Sequence, residues 1–174
     1  FSHDICSKIG FIREDIEEKK NSKVINNREY AILLTSLLYA MDRIANTCGH
    51  YDAWRRNVDL SEQVLEMRML AAEKNLNPQN QCFNTDANKL AENIKSDVVY
   101  LDPPYNSRQY CDAYHLVENV ARWQKPEVFG VAKKMDRTAL KSKYCTQFAP
   151  KAFDDLVSKL DAKYILVSYN NMEN

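Results

Sequence analysis

The run Val98-Val99-Tyr100-Leu101 is cut off by Asp102 and then by two consecutive prolines, Pro103 and Pro104. A proline has no backbone N–H and fixes φ near −65°, so a sheet ladder does not pass through two of them in an interior strand. The run therefore predicts a buried strand over Val98–Leu101 that stops abruptly at a turn. A second run, KYILVSYNN at 163–171, predicts another buried strand with a polar exit. Between the two, YCDAYHLVENVARWQ places Tyr114, Val117, Val120 and Ala121 on one helical face, and PKAFDDLVSKLDA reads as an amphipathic helix. Apolar strands separated by helices predict an α/β fold, a parallel sheet covered by helices.

Upstream the period is helical. FIREDIEEKK at 11–20 spaces Ile12 and Ile16 four apart, and REYAILLTSLLYAMDRIANTCG sets Ile32, Leu33, Leu37, Ala40, Met41 and Ile44 on a broad apolar face with Gly49 as a stop. Residues 61–73 read as a further helix, NLNPQNQ at 75–81 as a loop, and 124–150 as loop with short helix.

Composition narrows the function classes. At 174 residues the chain fits one domain that needs no disulfide or metal staple, and five cysteines without a CxxC pair read as reduced thiols of a cytoplasmic protein. No metal site is expected. No apolar run approaches the roughly 18 residues of a spanning helix, and the start lacks a basic segment followed by an apolar stretch, so no membrane or secretory role is expected. Lys plus Arg number 24 and Asp plus Glu 24, so a nucleic-acid partner would have to be held by a local basic patch. From Arg122 to Lys143 seven basic residues face two acidic ones; Lys133, Lys134 and Arg137 in that stretch, with Arg108 nearer the prolines, are the candidate phosphate contacts. Arg55 and Arg56 are further candidates with no motif behind them. A run of charge is also what an ordinary solvated face looks like.

Ligands of open parallel sheets sit at the carboxyl ends of strands, which is where Asp102-Pro103-Pro104-Tyr105 falls. Such a turn offers a carboxylate, backbone carbonyls and an aromatic face. A planar exocyclic amine is a poor nucleophile because its lone pair is delocalised into the ring. Two acceptors on its hydrogens, Asp102 and the Pro103 carbonyl, favour a pyramidal nitrogen while Tyr105 stacks on the base. The bland alternative is a proline-terminated strand that merely turns the chain. Asp86 equally reads as a helix N-cap for ANKLAENI, and Tyr169 and Asn170 as a plain strand exit.

DPPY at a strand end, within VVYLDPPYNSRQYCDAYHLVENVARW, resembles the Dam-like, alpha-group N6-adenine DNA methyltransferases of bacterial restriction-modification systems. ANTCGHYDAW at 45–54, CFNTDANKL at 82–90 and ILVSYNN at 165–171 are similar to further segments of that family. The resemblance implies a Rossmann-like fold that binds S-adenosylmethionine, with 1–10 and 82–174 as catalytic core and 11–81 as a mostly helical target-recognition insert. It implies methyl transfer, without a covalent enzyme intermediate, to N6 of an adenine flipped out of double-stranded DNA. It assigns Asp102, Pro103, Pro104 and Tyr105 to catalysis, Tyr105, Tyr169 and Asn170 to the base pocket, and Asp4, Asp86 and Asp102 to the cofactor. Asp4, in FSHDI, resembles an acid at the end of a second strand. A cognate restriction endonuclease is the implied partner and the bacterial nucleoid the implied location.

One departure is large. Only three glycines are present, where about twelve is usual, and the family's glycine-rich FxGxG cofactor loop is missing. If FSHDI is the second-strand acid, that loop lies before Phe1 and the chain is expected to be a fragment. Two alternatives follow: cytosine N4 as the target, since the same acceptors serve any exocyclic amine, or a non-catalytic fragment that binds DNA or a partner. Methyl transfer to a glutamine side chain is disfavoured, because that group usually carries Asn where Asp102 stands.

Overall fold

The computed structural model describes residues 1–71 and 79–170. The chain divides into two compact units, one of residues 1–74 and 111–136, the other of residues 75–110 and 137–174.

The first unit is built on a helical hairpin. α1 spans His3–Asn21 and α2 spans Asn27–Ile44. Ser2 caps α1 by accepting from the Ile5 amide, and Asn26 with Glu29 forms a reciprocal capping box on α2. Ile5, Ile9 and Ile16 bury against Leu37, Met41 and Val120, each such side chain contributing about 1.5–3 kcal/mol. α1 thus begins eight residues before the expected Phe11, because Ile5 and Ile9 continue the stripe toward the N-terminus. It runs through Gly10 without a break. The strand end expected at FSHDI is corrected: Asp4 lies in the first turn of α1.

The helix expected over 61–73 is also absent across its described part, 61–71. Gln63, Leu65 and Met67 turn inward while Val64, Glu66 and Arg68 face out, the two-residue alternation of an extended chain. Leu65 and Met67 pack on the helical core, and Gln63 ties the segment down: its amide donates to the Ile44 carbonyl at 2.6 Å and accepts from the Ser2 N–H at 3.2 Å. Residues 72 and 73 of that expectation, and most of the loop expected at 75–81, lie outside the described residues.

A short helix, α3, spans Ala87–Leu90, and the helix expected over 110–124 is interrupted at Tyr114, giving α4 over Tyr110–Ala113 and α5 over His115–Arg122. Val120 is buried and Val117 packs on the core, whereas Tyr114 is 41% exposed and stands off the expected face. The wholly buried Arg13 closes the carboxyl end of α5. Its Nε donates to the Val120 carbonyl at 2.7 Å and one terminal nitrogen to the Ala121 carbonyl at 3.3 Å, with Glu17 and Tyr30 taking its other donors. Short strands Val128–Phe129 and Lys134–Met135, β2 and β3, then pair antiparallel around a turn with Gly130 at φ +69° and Lys133 at φ +48°.

In the second unit, β1 (Lys95–Leu101) and β4 (Asp161–Val167) pair in parallel, with Val98 opposite Tyr164 and Tyr100 opposite Leu166. α6 spans Ala149–Lys159, with Pro150 in its first turn. Both expected strands are present, but they are not buried. Val98, Tyr100, Tyr164 and Leu166 share an exposed face, while Val99, Leu101 and Ile165 on the other are half-buried. Among the described residues no further strand joins the pair, and one of its faces is exposed. Among the described residues no helix is long and apolar enough to cross a membrane.

Candidate active site

Leu101 and Val167 are the last paired residues of β1 and β4, and the Ser168 N–H still donates to the Leu101 carbonyl at 2.8 Å. One rung beyond the strands, the ladder sets the start of Asp102-Pro103-Pro104-Tyr105 beside Ser168-Tyr169-Asn170. The parallel register thus unites the two segments at the carboxyl ends of their strands. Asp102 is exposed, Tyr105 is 43% exposed and Tyr169 56%, while Pro103 and Pro104 are half-buried. Neither the Asp102 carboxylate nor the Pro103 carbonyl has a hydrogen-bond partner among the described residues. Both acceptors stand open at the turn.

The chain after the turn is fastened by residues with no motif. Asn106 Oδ1 accepts from the Arg108 N–H at 3.0 Å, an Asx turn. Gln109 then clamps Ser142: its Nε2 donates to the Ser142 carbonyl at 3.0 Å and its Oε1 accepts from the Ser142 N–H at 2.8 Å. Next to it the buried Cys145 donates its thiol hydrogen to the Arg108 carbonyl at 3.3 Å. Two segments more than thirty residues apart in sequence are thereby locked together.

Asp86 does cap α3, its Oδ1 accepting from the Lys89 N–H at 3.2 Å, which leaves the other oxygen unbonded among the described residues. Two residues on, Asn88 Nδ2 donates to the Ala152 carbonyl and to Asp155 Oδ2, both at 2.8 Å, and Asn88 Oδ1 accepts from the Tyr144 hydroxyl at 2.8 Å. This network binds the Asp86 segment to α6. Burial pushes the Tyr144 phenol up, and the Asn88 amide, with Lys159, holds the Asp155 carboxyl below its ordinary range.

The other expected site residues stand elsewhere. Asp4, in the first unit, pairs with Lys8 at 2.7 Å on the exposed face of α1. In that unit too, Lys134 forms an ion pair with Asp52, while Lys133 is exposed at the hairpin turn. Arg108 is exposed in the second unit, and Arg137 is half-buried before the 3-10 turn Thr138–Leu140. Gln109, Ser142, Asn88 and Tyr144 escape sequence reasoning, since a lone amide in a polar loop gives no signal of its partner. Only Asn106, two residues before Arg108, carried a readable turn signature.

The donor set suits a methyl donor bearing an ammonium and an adenine amine: Asp102 and Asp86 each present a carboxylate oxygen without a partner. A carboxylate, an open carbonyl and an aromatic face thus stand together at a parallel strand's carboxyl end. The chain belongs to the D12 class N6 adenine-specific DNA methyltransferase family, whose model matches residues 4–173. It is 43% identical over 168 residues to modification methylase StsI of Streptococcus sanguinis, a match covering 95% of this chain and 26% of that protein. The type II methyltransferase M.FokI of Planomicrobium okeanokoites is 37% identical over 173 residues, 98% of this chain and 27% of that one. M.NlaIII of Neisseria lactamica is 37% identical over 176 residues, 98% and 51% of the respective chains. The chain thus spans about a quarter of the first two relatives and about half of the third. No solved structure matches it.

Proposed function

We propose that this chain is the catalytic part of a site-specific DNA methyltransferase acting on N6 of an adenine flipped out of double-stranded DNA. The observation that carries the reading is the 2.8 Å bond from Ser168 N–H to Leu101 O, which sets Asp102 and Pro103 beside Tyr169 and Asn170. Asp86 and Asp102 would hold S-adenosylmethionine, which would supply an electrophilic methyl group on a sulfonium. As the N–C bond forms the S–C bond would break and its electron pair would stay on sulfur, which leaves as the neutral thioether. Asp102 and the Pro103 carbonyl accept the two amine hydrogens, which draws the nitrogen lone pair out of the ring. Pro104 fixes the backbone that aims that carbonyl, having one rigid φ and no N–H to compete for it. Tyr105 stacks on the base, and Tyr169 and Asn170 border it. The proton released as the N–C bond forms passes by way of the Asp102 carboxylate to solvent. Electrostatic placement of this kind is commonly worth a hundredfold to a thousandfold in rate.

Asp4 is not carried into the cofactor site, because FSHDI ends no strand: Asp4 lies in the first turn of α1 and pairs with Lys8. The core of the reading is a Rossmann-like arrangement drawing on residues 1–10 and 82–174, with 11–81 serving target recognition. Lys133, Arg137 and Arg108 are the proposed DNA contacts, Lys134 being held instead by Asp52, and a cognate restriction endonuclease is the proposed partner in a bacterial cytoplasm. The family match favours adenine over cytosine N4 as the target.

The test is incubation of the full-length protein with duplex DNA and S-adenosylmethionine labelled in the methyl group, followed by nucleoside analysis. Label in N6-methyladenine is the expected result. Label confined to N4-methylcytosine, or none in DNA, overturns the reading.

A further inference from the structure

Among the candidate DNA contacts, Lys134 has the least free geometry: its side chain is 18% exposed and held by Asp52. Asp52 belongs to a loop that the catalytic reading does not use. In this loop Thr47 and Trp54 form an antiparallel bridge, and the Cys48 N–H donates to the Ala53 carbonyl at 3.2 Å. Asn46 grips Arg55 from both sides: its carbonyl accepts from the Arg55 N–H at 3.4 Å and its Nδ2 donates to the Arg55 carbonyl at 2.9 Å. Tyr51 anchors the tip, its N–H donating to the Ala113 carbonyl at 2.8 Å and its hydroxyl to Asp42 Oδ1 at 3.1 Å.

This rigid loop presents Trp54, 67% exposed, followed by the exposed Arg55 and Arg56. Neither guanidinium has a hydrogen-bond or ion-pair partner among the described residues. In contrast, Arg122 and Lys125 are paired with Glu118 and Glu14. An indole next to two unpaired guanidiniums on a backbone already fixed suits a polyanion with flat apolar surfaces, which is the chemistry of a nucleic acid backbone and its bases.

We propose that the loop of residues 46–56 is a duplex DNA contact, with Arg55 and Arg56 on backbone phosphates and Trp54 against a sugar or base. In it, Lys134 is a positioning residue that holds the loop through Asp52 and does not touch phosphate. The inference rests on the DNA methyltransferase reading and deepens it, replacing a general basic stretch with two named arginines.

The experiment is fluorescence anisotropy of the full-length protein on a labelled 30-bp duplex across a potassium chloride series. Each phosphate contact contributes about 0.9 to the slope of log affinity against log salt. Arg55→Gln with Arg56→Gln should lower that slope by about 1.8 and weaken binding by tens of fold near 0.1 M salt. Arg55→Lys with Arg56→Lys should keep the slope and exclude a folding artefact. Lys134→Met should leave the slope unchanged, and Asp52→Lys combined with Lys134→Asp should restore the affinity that either single change lowers. A wild-type slope in the double Gln variant overturns the arginine contacts, and a slope lowered by about 0.9 in Lys134→Met overturns its positioning role. Methyl transfer to DNA by the wild-type protein reads the parent proposal separately: transfer that persists beside an unchanged double-variant slope defeats the loop contact alone.

Discussion

Leu101 and Ser168 are joined by one hydrogen bond, carbonyl to amide at 2.8 Å, and that bond is the last rung of the β1–β4 ladder. Beyond it the ladder stops, with two prolines that cannot donate on one segment and Tyr169 and Asn170 on the other. The open acceptors of Asp102 and Pro103 follow directly from where the ladder ends.

The Gln109–Ser142 clamp secures the segment following that turn. Gln109→Ala removes a donor and an acceptor together and leaves the half-buried Ser142 N–H without its partner, while the Ser142 carbonyl keeps the Cys145 N–H at 3.3 Å, at a cost of about 1–2 kcal/mol. Urea unfolding should show a lower midpoint with an unchanged slope. A loss below about 0.5 kcal/mol would mean that water replaces the clamp.

Arg13 is the fully buried cation of the first unit, and its planar fork meets two α5 carbonyls as well as Glu17 and Tyr30. Lysine keeps the charge but not the fork. Arg13→Lys should therefore destabilise by about 2–4 kcal/mol, because it leaves buried polar groups unpaired. Denaturant unfolding checks the figure.

Tyr51 gives the fold an alkaline limit. Burial, then the nearby Asp42 carboxylate, pushes its phenol well above the ordinary value. The folded state holds the proton more tightly than the unfolded chain. Its contribution to stability is therefore complete below the unfolded phenol pKa of about 10 and is lost as pH rises past it. Melting temperatures between pH 8 and 11 should fall more steeply for the wild type than for Tyr51→Phe. Parallel curves would contradict this.

The strand and turn at Asp102 were legible because their signals are local. β-branched residues followed by Pro103 and Pro104 mark a strand and its end wherever they occur, and Ile12 with Ile16, like Leu37 with Met41, repeat at helical spacing. Ile5 and Ile9, which extend α1, were not legible as its start. What was not legible depends on partners distant in sequence. Residues 61–71 satisfy helical and alternating patterns alike, and only the docking of Leu65 and Met67 on the helical core decides between them. The hairpin at 128–135 has strands of two residues, too short to show a period. Gln109 and Ser142 meet through backbone atoms that any residue at position 142 except proline would supply. The strands were expected to be buried because apolar runs usually are, but burial depends on neighbours that sequence period does not supply, and Val98 and Tyr164 share an exposed face.

Asp102→Ala tests the central claim most directly, with single-turnover methyl transfer, duplex affinity and melting temperature measured on the same full-length preparation. The carboxylate is exposed and has no partner among the described residues, so melting temperature and affinity should stay near wild type. Transfer should fall by about a thousandfold. Transfer within a few-fold of wild type would contradict the account, because the amine would then be activated by groups other than this turn.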